Sequence, residues 1–373
     1  MIYLDYNATT PVDESVAQAM QETLLKNWGN PSSGHAMGKR AKIACEKARA
    51  QVAALIQAQP SEIIFTSGGT ESNNMVILGL ASHFSPQKNH IITSKIEHPS
   101  VMNPCLRLLE QGLDVSFISV DESGIINLKE LENAVTARTF LVSVMLANNE
   151  TGVLQPLEEI AAICTRHNVL LHTDAAQAVG KITVDVNELG VDYLTIAGHK
   201  FYAPKGIGAL FAKQDRPLEN IMYGAGQEFG KRPGTEPVPG AVALGAAAVL
   251  VQKDLPAEQA RQRALRERLF EGLKAIFPNI VRHGKPDVTL PNTLSVSFAG
   301  LEAGDLLAKL DDLCASTGAA CHDRSVAVSH VLSAMGVSRE IALGTVRLSL
   351  GRYTTESEID EAVRLFHSAI RSI

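Results

Sequence analysis

The sequence lacks any apolar run of about 18 residues or more, the length that a transmembrane helix needs. It also lacks a basic-then-apolar segment at the N-terminus and any long basic run. Its 34 Lys and Arg residues against 40 Asp and Glu residues give a net charge of −6. These absences argue against a membrane anchor, a secretory signal and an electrostatic surface for nucleic acid. We therefore expect a soluble, cytoplasmic protein without a membrane partner or a direct nucleic-acid partner.

Cysteine is also scarce. The five cysteines are odd in number and form no C-x-x-C pair, which argues against a disulfide framework and a structural zinc site, so we expect no metal. Cys321 lies within residues 316–329, where small residues and a lack of apolar periodicity predict a mobile loop of the kind that often carries function. The other four lie among apolar or helical neighbours and are interpreted as inert structural residues: Cys45, Cys105, Cys164 and Cys314.

What the sequence does contain is an alternation of strand-like and helix-like segments over its first 250 residues. The strand-like segments are residues 62–66, 90–93, 115–119, 140–145, 169–173 and 193–196. Helix-like segments at 39–55 and 157–167 come between them, which predicts an α/β domain with a mostly parallel central sheet. Beyond residue 250 the order changes to a charged helix at 257–276, a strand at 294–298, a helix near 303–312, a strand at 346–350 and a last helix from 357. We expect a large domain of residues 13–250 and a smaller α+β domain of residues 1–12 and 251–373.

Lys200 and Asp174 are the first candidate pair, because each follows an apolar strand-like run. An amine at one strand end and a carboxylate at another suit pyridoxal phosphate (PLP). The amine holds the aldehyde as a Schiff base, and the carboxylate keeps the pyridine nitrogen protonated so that the ring accepts electrons. A His-Lys pair after a strand also occurs as surface decoration, so the pair alone leaves both interpretations open.

A glycine turn follows the strand at 62–66. Gly68 and Gly69 allow a phosphate to approach the N-terminus of the next helix, and Thr70 adds a hydroxyl. No Lys-Ser/Thr follows, so this is not a nucleotide P-loop. The alternative is a plain strand-to-helix turn with Thr70 as a cap. His98 is positioned to stack on a cofactor ring and act as an acid or base, or else it marks a helix entry before Pro99.

Three further polar residues stand where open α/β sheets or buried strands place ligands. Asn149 and Gln177 follow strand ends, with a turn as the alternative for Asn149. Arg347 lies on a strand-like segment with one buried face, where a guanidinium suits a bidentate substrate carboxylate. A protein-internal salt bridge is the competing interpretation for Arg347.

Ten short motifs, which include the candidate residues above, occur along the chain in a fixed order. They are LDYNATTP (4–11), GNPSS (29–33), SGGTES (67–72), EH (97–98), NNE (148–150), HTDAAQ (172–177), GHK (198–200), RPGT (232–235), GAAC (318–321) and RLSLGR (347–352). In this order the chain resembles, over essentially its whole length, the cysteine desulfurases and selenocysteine lyases of the class V aminotransferase fold. The resemblance implies the PLP-dependent fold type I, a homodimer with the active site between subunits, and PLP as cofactor.

The resemblance also implies roles for individual residues. The cofactor-binding set would be Lys200 as Schiff base, Asp174 on the ring nitrogen, His98 over the ring, Gln177 near the ring hydroxyl, Asn149 beside it, and Gly69, Thr70 and His199 at the phosphate together with Thr235 from the neighbouring subunit. Asn149 and Arg347 would hold the substrate carboxylate. Lys200, His98 and Cys321 would be catalytic, with Cys321 as the mobile nucleophile that takes sulfur from L-cysteine and leaves L-alanine.

Two departures from the family pattern leave the cofactor affinity and the substrate open. Many desulfurases have Ser where Ala197 stands, so one phosphate contact is missing here. The loop sequence GAACH (318–322) resembles animal selenocysteine lyases, whereas Pro99 after His98 resembles many desulfurases. The expected function is a desulfurase that passes a Cys321 persulfide to an acceptor or scaffold protein, for iron–sulfur cluster assembly or thiolation. Selenocysteine lyase, another lyase or transaminase of this fold, and a non-catalytic sulfur relay are the alternatives.

Overall fold

The computed structural model describes residues 1–317 and 328–372. In chain order its strands are β1 (Ile2–Tyr3), β2 (Ile63–Thr66), β3 (His90–Ser94), β4 (Asp114–Ile118), β5 (Thr139–Ser143), β6 (Leu170–Asp174), β7 (Tyr193–Ala197), β8 (Gly208–Ala212), β9 (Ile280–His283), β10 (Thr293–Phe298), β11 (Leu313–Cys314), β12 (Ser316–Thr317) and β13 (Thr345–Ser349).

The helices, likewise in chain order, are α1 (Glu14–Lys26), α2 (Ala36–Leu55), α3 (Gly69–Phe84), α4 (Pro99–Glu110), α5 (Leu128–Ala134), α6 (Leu157–His167), α7 (Val186–Leu189), α8 (Val238–Lys253), α9 (Leu255–Ile276), α10 (Ala303–Leu307), α11 (His330–Ala334), α12 (Arg339–Leu343) and α13 (Glu356–Ile370).

The central sheet has seven strands in the order β2-β8-β7-β6-β5-β3-β4. Neighbours from β7 through β4 pair in parallel, and β8 alone runs against β7 and β2. Most of its strands are buried on both faces, as parallel strands covered by helices are. Alternate residues enter opposite cores: Ile63 and Phe65 pack on one side of the sheet and Ile64 on the other. The prediction of an α/β fold with a mostly parallel sheet is confirmed.

A second, antiparallel sheet has the order β12-β13-β10-β9, and β1 pairs with β11 beside it. Its own apolar core contains Leu294, Leu348 and Phe366, and Ile2 and Leu4 from the start of the chain belong to it as well. This packing supports the proposed assignment of residues 1–12 to the smaller domain. The boundaries at residues 13 and 250 remain our proposal.

Two local predictions differ from the structure, and one strand of the central sheet lies outside the predicted segments. The helix expected near residues 303–312 ends at Leu307, because the amides of Lys309 and Leu310 bond to carbonyls three residues back and tighten the chain into turns. Strand β8 was not predicted. Within the loop expected at 316–329, residues 316 and 317 form β12, because they pair with Arg347 and Val346 of β13.

No single helix in the described ranges combines the length and apolar character needed to cross a bilayer; α8 and α9 reach them only together, across a bend of 74°.

Candidate active site

A cavity of about 380 Å³ opens at the carboxyl ends of β2, β3, β5, β6 and β7, facing β13 of the second sheet. Carboxyl ends of parallel strands meet at one edge, which is where open α/β sheets bind ligands. Of the described residues to which the resemblance assigns a role, the cavity brings together all but Thr235. Those lining it are Gly69, Thr70, His98, Asn149, Asp174, Gln177, His199, Lys200 and Arg347.

Lys200 stands in the short turn that follows β7, with its amine in the cavity. Its Nζ donates hydrogen bonds to the backbone oxygens of Asn7, at 2.8 Å, and Ala8, at 2.9 Å. Burial lowers the pKa of Lys200 to about 8, and the nearby Arg347 guanidinium acts in the same direction. The amine is therefore available in its neutral, nucleophilic form near neutral pH.

Asp174 ends β6 and is 7% exposed. Its Oδ1 accepts a hydrogen bond of 2.9 Å from the amide of Ala176, and its Oδ2 accepts one of 2.7 Å from Asn73 Nδ2 on α3. These two contacts fix the plane of the carboxylate. Asn73 was not singled out from the sequence, although a fully buried Asn on a helix is a signal that it has a polar partner.

The turn between β2 and α3 is shaped by glycine. Gly68 has a φ of 147°, and no side chain caps the first turn of α3, which begins at Gly69. The turn lies against β8, since a Cβ on Gly208 would come within 2.7 Å of the Gly68 Cα. The uncapped N–H groups and the helix dipole make this end of the cavity suited to an anion.

His199 also lines the cavity. Its Nδ1 lies 3.2 Å from Thr9 Oγ1. Burial lowers the pKa of His199 to about 4, and the positive charge of Lys200 adds to the effect. The imidazole is therefore neutral at physiological pH and contributes a hydrogen bond rather than a charge.

His98 caps the N-terminus of α4 and lines the cavity. Although much of the ring is accessible from the cavity, the surrounding protein desolvates it and lowers the pKa of His98, with Asp174 opposing and Lys200 assisting that shift. Its Nδ1 lies 2.8 Å from Ser100 Oγ and accepts the Ser100 amide at 3.2 Å. The edge of the ring is thus held while its other nitrogen is left for the cavity.

Arg347 reaches the cavity from β13 in the second sheet. It makes a salt bridge of 2.8 Å to Asp5 Oδ1 and donates to the backbone oxygen of Asn149 at 2.9 Å. Its Nε is buried and has no hydrogen-bond partner among residues 1–317 and 328–372. The two interpretations of Arg347 are therefore compatible, because an internal ion pair holds a guanidinium that still faces the cavity.

Gln177 is tied to two residues that sequence reasoning did not assign, Asn7 and Lys181. Its Nε2 donates to the backbone oxygen of Asn7 at 2.9 Å, and its Oε1 accepts from Lys181 Nζ at 2.7 Å. Lys181 also donates to Asn7 Oδ1 at 2.8 Å. Asn7 lies within the first motif, LDYNATTP, so that motif was its only sequence signal.

Thr235 does not line the cavity. Thr235 is exposed on the segment that precedes α8. Cys321 lies outside the described residues, so its expected role remains a prediction from the sequence.

The residues that line the cavity fit pyridoxal phosphate. The uncapped first turn of α3 suits the phosphate, the pyridine nitrogen requires a carboxylate such as Asp174, and the aldehyde requires an amine such as Lys200. The Arg347 side chain, which lines the cavity, offers a guanidinium to a further anionic group, such as a substrate carboxylate.

Comparison with known proteins agrees with this fit. Residues 2–362 match the model of the aminotransferase class-V family. The protein "Cysteine desulfurase 2" of Trichormus variabilis is 47% identical over 367 residues, covering 98% of this chain and 92% of its own length.

Solved structures show the same likeness. A NifS-like protein superposes with a TM-score of 0.95 at 38% identity and 100% coverage of both chains. A structure described as SspA in complex with cysteine has a TM-score of 0.85 at 36% identity, covering 95% of this chain and 100% of that one. With a family match across nearly its whole length and relatives this similar, the chain belongs to the class-V aminotransferase family, whose members depend on PLP.

Proposed function

We propose that the protein is a PLP-dependent cysteine desulfurase, which converts L-cysteine to L-alanine and transfers the sulfur to Cys321 as a persulfide. The observation that carries the proposal is the convergence of Lys200, Asp174 and Arg347 in one cavity, in a chain 47% identical to a protein named cysteine desulfurase. The structure of SspA, a relative described as in complex with cysteine, supports L-cysteine as the substrate.

Each residue of the cavity has a defined task in this proposal. Pyridoxal phosphate, when bound, supplies an electron sink for carbanion chemistry at the substrate α-carbon. Asp174 keeps a proton on the ring nitrogen, and Lys200 in its neutral form accepts the α-proton at Nζ. Arg347 and Asn149 hold the carboxylate. The presence of these side chains in the lining of one cavity supports the assignments.

The sulfur-transfer step balances without an added oxidant. The Cys321 thiolate attacks the substrate sulfur and forms an S–S bond, while the electron pair of the broken C–S bond stays with carbon, which takes up protons to become alanine. Burial raises the pKa of Cys45, Cys105 and Cys164 to about 12, so these thiols are poor nucleophiles at neutral pH. This supports Cys321 as the residue that carries sulfur.

The experiment that tests the function follows alanine and sulfur together. The purified holoenzyme is incubated with L-cysteine, alanine is quantified, and the peptides are analysed by mass spectrometry. We expect one added sulfur, about 32 Da, on the peptide that contains Cys321. Cys321→Ala should form neither the persulfide nor alanine. A label on another cysteine, or full alanine production by Cys321→Ala, would overturn the proposal.

Two matched controls separate site effects from general damage. Cys314 is half-buried in β11, so Cys314→Ala should keep full activity. Lys200→Ala should abolish turnover, whereas Lys205→Ala, at an exposed lysine five residues further on, should not.

A second candidate, selenocysteine lyase, is favoured only by the loop sequence GAACH (318–322). Assaying L-selenocysteine beside L-cysteine in wild type and Cys321→Ala separates the two. A lyase would release selenium from selenocysteine in both proteins and produce little alanine from cysteine.

We further propose a cytoplasmic homodimer in which Thr235 of each chain serves the site of the other. The exposure of Thr235, away from the cavity of its own chain, supports this arrangement. Sulfur delivery to an acceptor or scaffold protein, for iron–sulfur cluster assembly or thiolation, completes the proposal. Sedimentation of the wild type, and cofactor retention by Thr235→Ala, test the shared site.

A further inference from the structure

A continuous line of hydrogen bonds joins Asp174 to His98 through two residues outside the assigned set. Asn73 Nδ2 lies 2.7 Å from Asp174 Oδ2 and 2.8 Å from Ser100 Oγ. Ser100 Oγ lies in turn 2.8 Å from His98 Nδ1. Asn73 and Ser100 are both buried, on α3 and α4 respectively, so the line crosses between two helices at the wall of the cavity, which Ser100 helps to line.

The direction of every bond in this line is fixed from its Asp174 end. A carboxylate only accepts hydrogen bonds, so the atom of Asn73 that faces it must be the NH₂ group and not the carbonyl oxygen. The same NH₂ group then donates its other hydrogen to Ser100 Oγ. The Asn73 Oδ1 is buried and has no hydrogen-bond donor among residues 1–317 and 328–372, which costs free energy. The reverse orientation of the amide would cost more, because it would place this oxygen against the Asp174 carboxylate, which can only accept.

Ser100 therefore accepts from Asn73 and has its own hydrogen left for His98. Its hydroxyl donates to Nδ1, and its backbone N–H donates to the same atom at 3.2 Å. Two donors on one ring nitrogen require that nitrogen to be unprotonated. In the neutral ring the proton then sits on Nε2.

We propose that Asn73 and Ser100 are positioning residues, which hold His98 as the Nε2–H tautomer so that it offers the cavity a proton donor. The tautomer follows from the hydrogen bonds alone. Only the expected effect on the reaction rate rests on the proposed function. The Asp174 carboxylate would thus have two roles. It would bind the cofactor nitrogen, and through Asn73 and Ser100 it would also determine which nitrogen of His98 carries the proton.

The relay matters for the reaction because the two tautomers have opposite roles. An imidazole protonated on Nε2 can donate that proton to a reacting atom in the cavity. An imidazole protonated on Nδ1 can only accept a proton at Nε2. Among residues 1–317 and 328–372, the charged or titratable groups that act on His98 are Asp174, Lys200 and His330, and none of them contacts Nδ1. The choice of tautomer is thus left to Ser100.

The direct test is nitrogen NMR of the holoenzyme labelled with ¹⁵N-histidine, with His98 identified by the signals lost in His98→Gln. In the wild type we expect an unprotonated Nδ1 and a protonated Nε2. Ser100→Ala removes the shorter, hydroxyl contact to Nδ1 and leaves only the 3.2 Å contact from the backbone N–H. Asn73→Leu leaves the hydroxyl free to rotate away from Nδ1. Each variant should therefore raise the population of the Nδ1–H tautomer above that of the wild type. Ser100→Thr keeps a hydroxyl and should restore the wild-type spectrum.

Kinetics provide the second measurement. Ser100→Ala should lower kcat about tenfold, the effect expected from losing one hydrogen bond to a proton-transfer group, with KM changed less than about twofold. Ser116→Ala is the matched control, because Ser116 Oγ bonds His90 Nε2 at 2.9 Å away from the cavity, and this variant should keep wild-type kcat.

A protonated Nδ1 in wild-type His98, or a wild-type tautomer in Ser100→Ala, would overturn the inference. The wild-type spectrum alone decides the first point even if a variant does not fold. A protein that shows the expected tautomer but forms no alanine from cysteine would contradict the proposed function and leave the relay intact.

Discussion

Lys181 Nζ donates a hydrogen bond of 2.7 Å to Gln177 Oε1, in a region of the protein where Lys181 is only 7% exposed. Because the amide oxygen is thus occupied, Gln177 turns its NH₂ group toward Asn7 and the cavity. Burial holds the pKa of Lys181 well below its usual value. The amine donates to two acceptors, Gln177 Oε1 and Asn7 Oδ1.

Lys181→Met should therefore leave two buried acceptors without this donor. We expect the free energy of unfolding to fall by about 2 kcal/mol, measured by urea titration. Lys205→Met, at an exposed site, should leave it unchanged. Equal denaturation midpoints for Lys181→Met and wild type would show that the buried amine is dispensable.

The low pKa of Lys200 predicts the pH dependence of cofactor capture. Attack on the aldehyde requires the neutral amine, so the rate at which apoprotein binds PLP should rise with pH and level off above about 8. Arg347 helps to lower this pKa, so Arg347→Gln should move the midpoint to higher pH. Stopped-flow absorbance measures both. A rate still climbing at pH values near about 10, as for an ordinary lysine, would contradict the assignment.

Ala197→Ser should strengthen cofactor binding. The Ala197 Cβ lies 3.5 Å from where a Cβ on Gly69 would be, so a hydroxyl at residue 197 would lie beside the uncapped turn of α3. One added hydrogen bond to phosphate should lower the Kd for PLP about fivefold, measured by equilibrium dialysis. Ala197→Val adds volume without a donor and should not tighten binding. The same Kd for both variants would exclude a hydrogen bond as the cause.

Glu97 predicts a specific loss of stability with rising pH. It is fully buried, and burial raises its pKa from 4.5 to about 8. A carboxyl whose pKa is higher in the folded state contributes stability that is complete below about 4.5 and is lost as the pH rises through about 8.

Glu97→Gln carries no titrating proton and should lack that loss. Denaturant midpoints measured between pH values of about 5.5 and 8.5 should shift in favour of the variant as the pH rises. Exposed Glu122→Gln should follow the wild type throughout. A constant difference between Glu97→Gln and wild type across this range would refute the buried, protonated carboxyl.

Sequence patterns were sufficient to predict which residues lie at the ends of individual strands and therefore near the cavity. Lys200 and Asp174 each follow an apolar run, and parallel strands bring such ends to one edge of the sheet. The relay could not be predicted in this way. Asn73 and Ser100 lie on different helices, and their contact depends on how α3 packs against α4.

Strand β8 likewise could not be predicted from the local sequence. Its sequence, GALFA, is short and follows a segment that contains Pro204 and Gly206. Its place in the sheet comes from antiparallel pairing with both β7 and β2. Tertiary pairing, rather than local propensity, makes this segment a strand.

The salt bridge between Asp5 and Arg347 spans 342 residues of chain, and the hydrogen bond from the Asn7 amide to Ser349 Oγ spans the same distance. During synthesis the N-terminal segment leaves the ribosome first, whereas its partners Arg347 and Ser349 are among the last residues to be made. A ribosome-bound chain that already contains Lys200 and Asp174 still lacks the strand that orders Asp5 and Asn7 beside them. Completion of the pocket is therefore a late event, and premature release of an unfinished chain would yield a protein unable to seat its substrate.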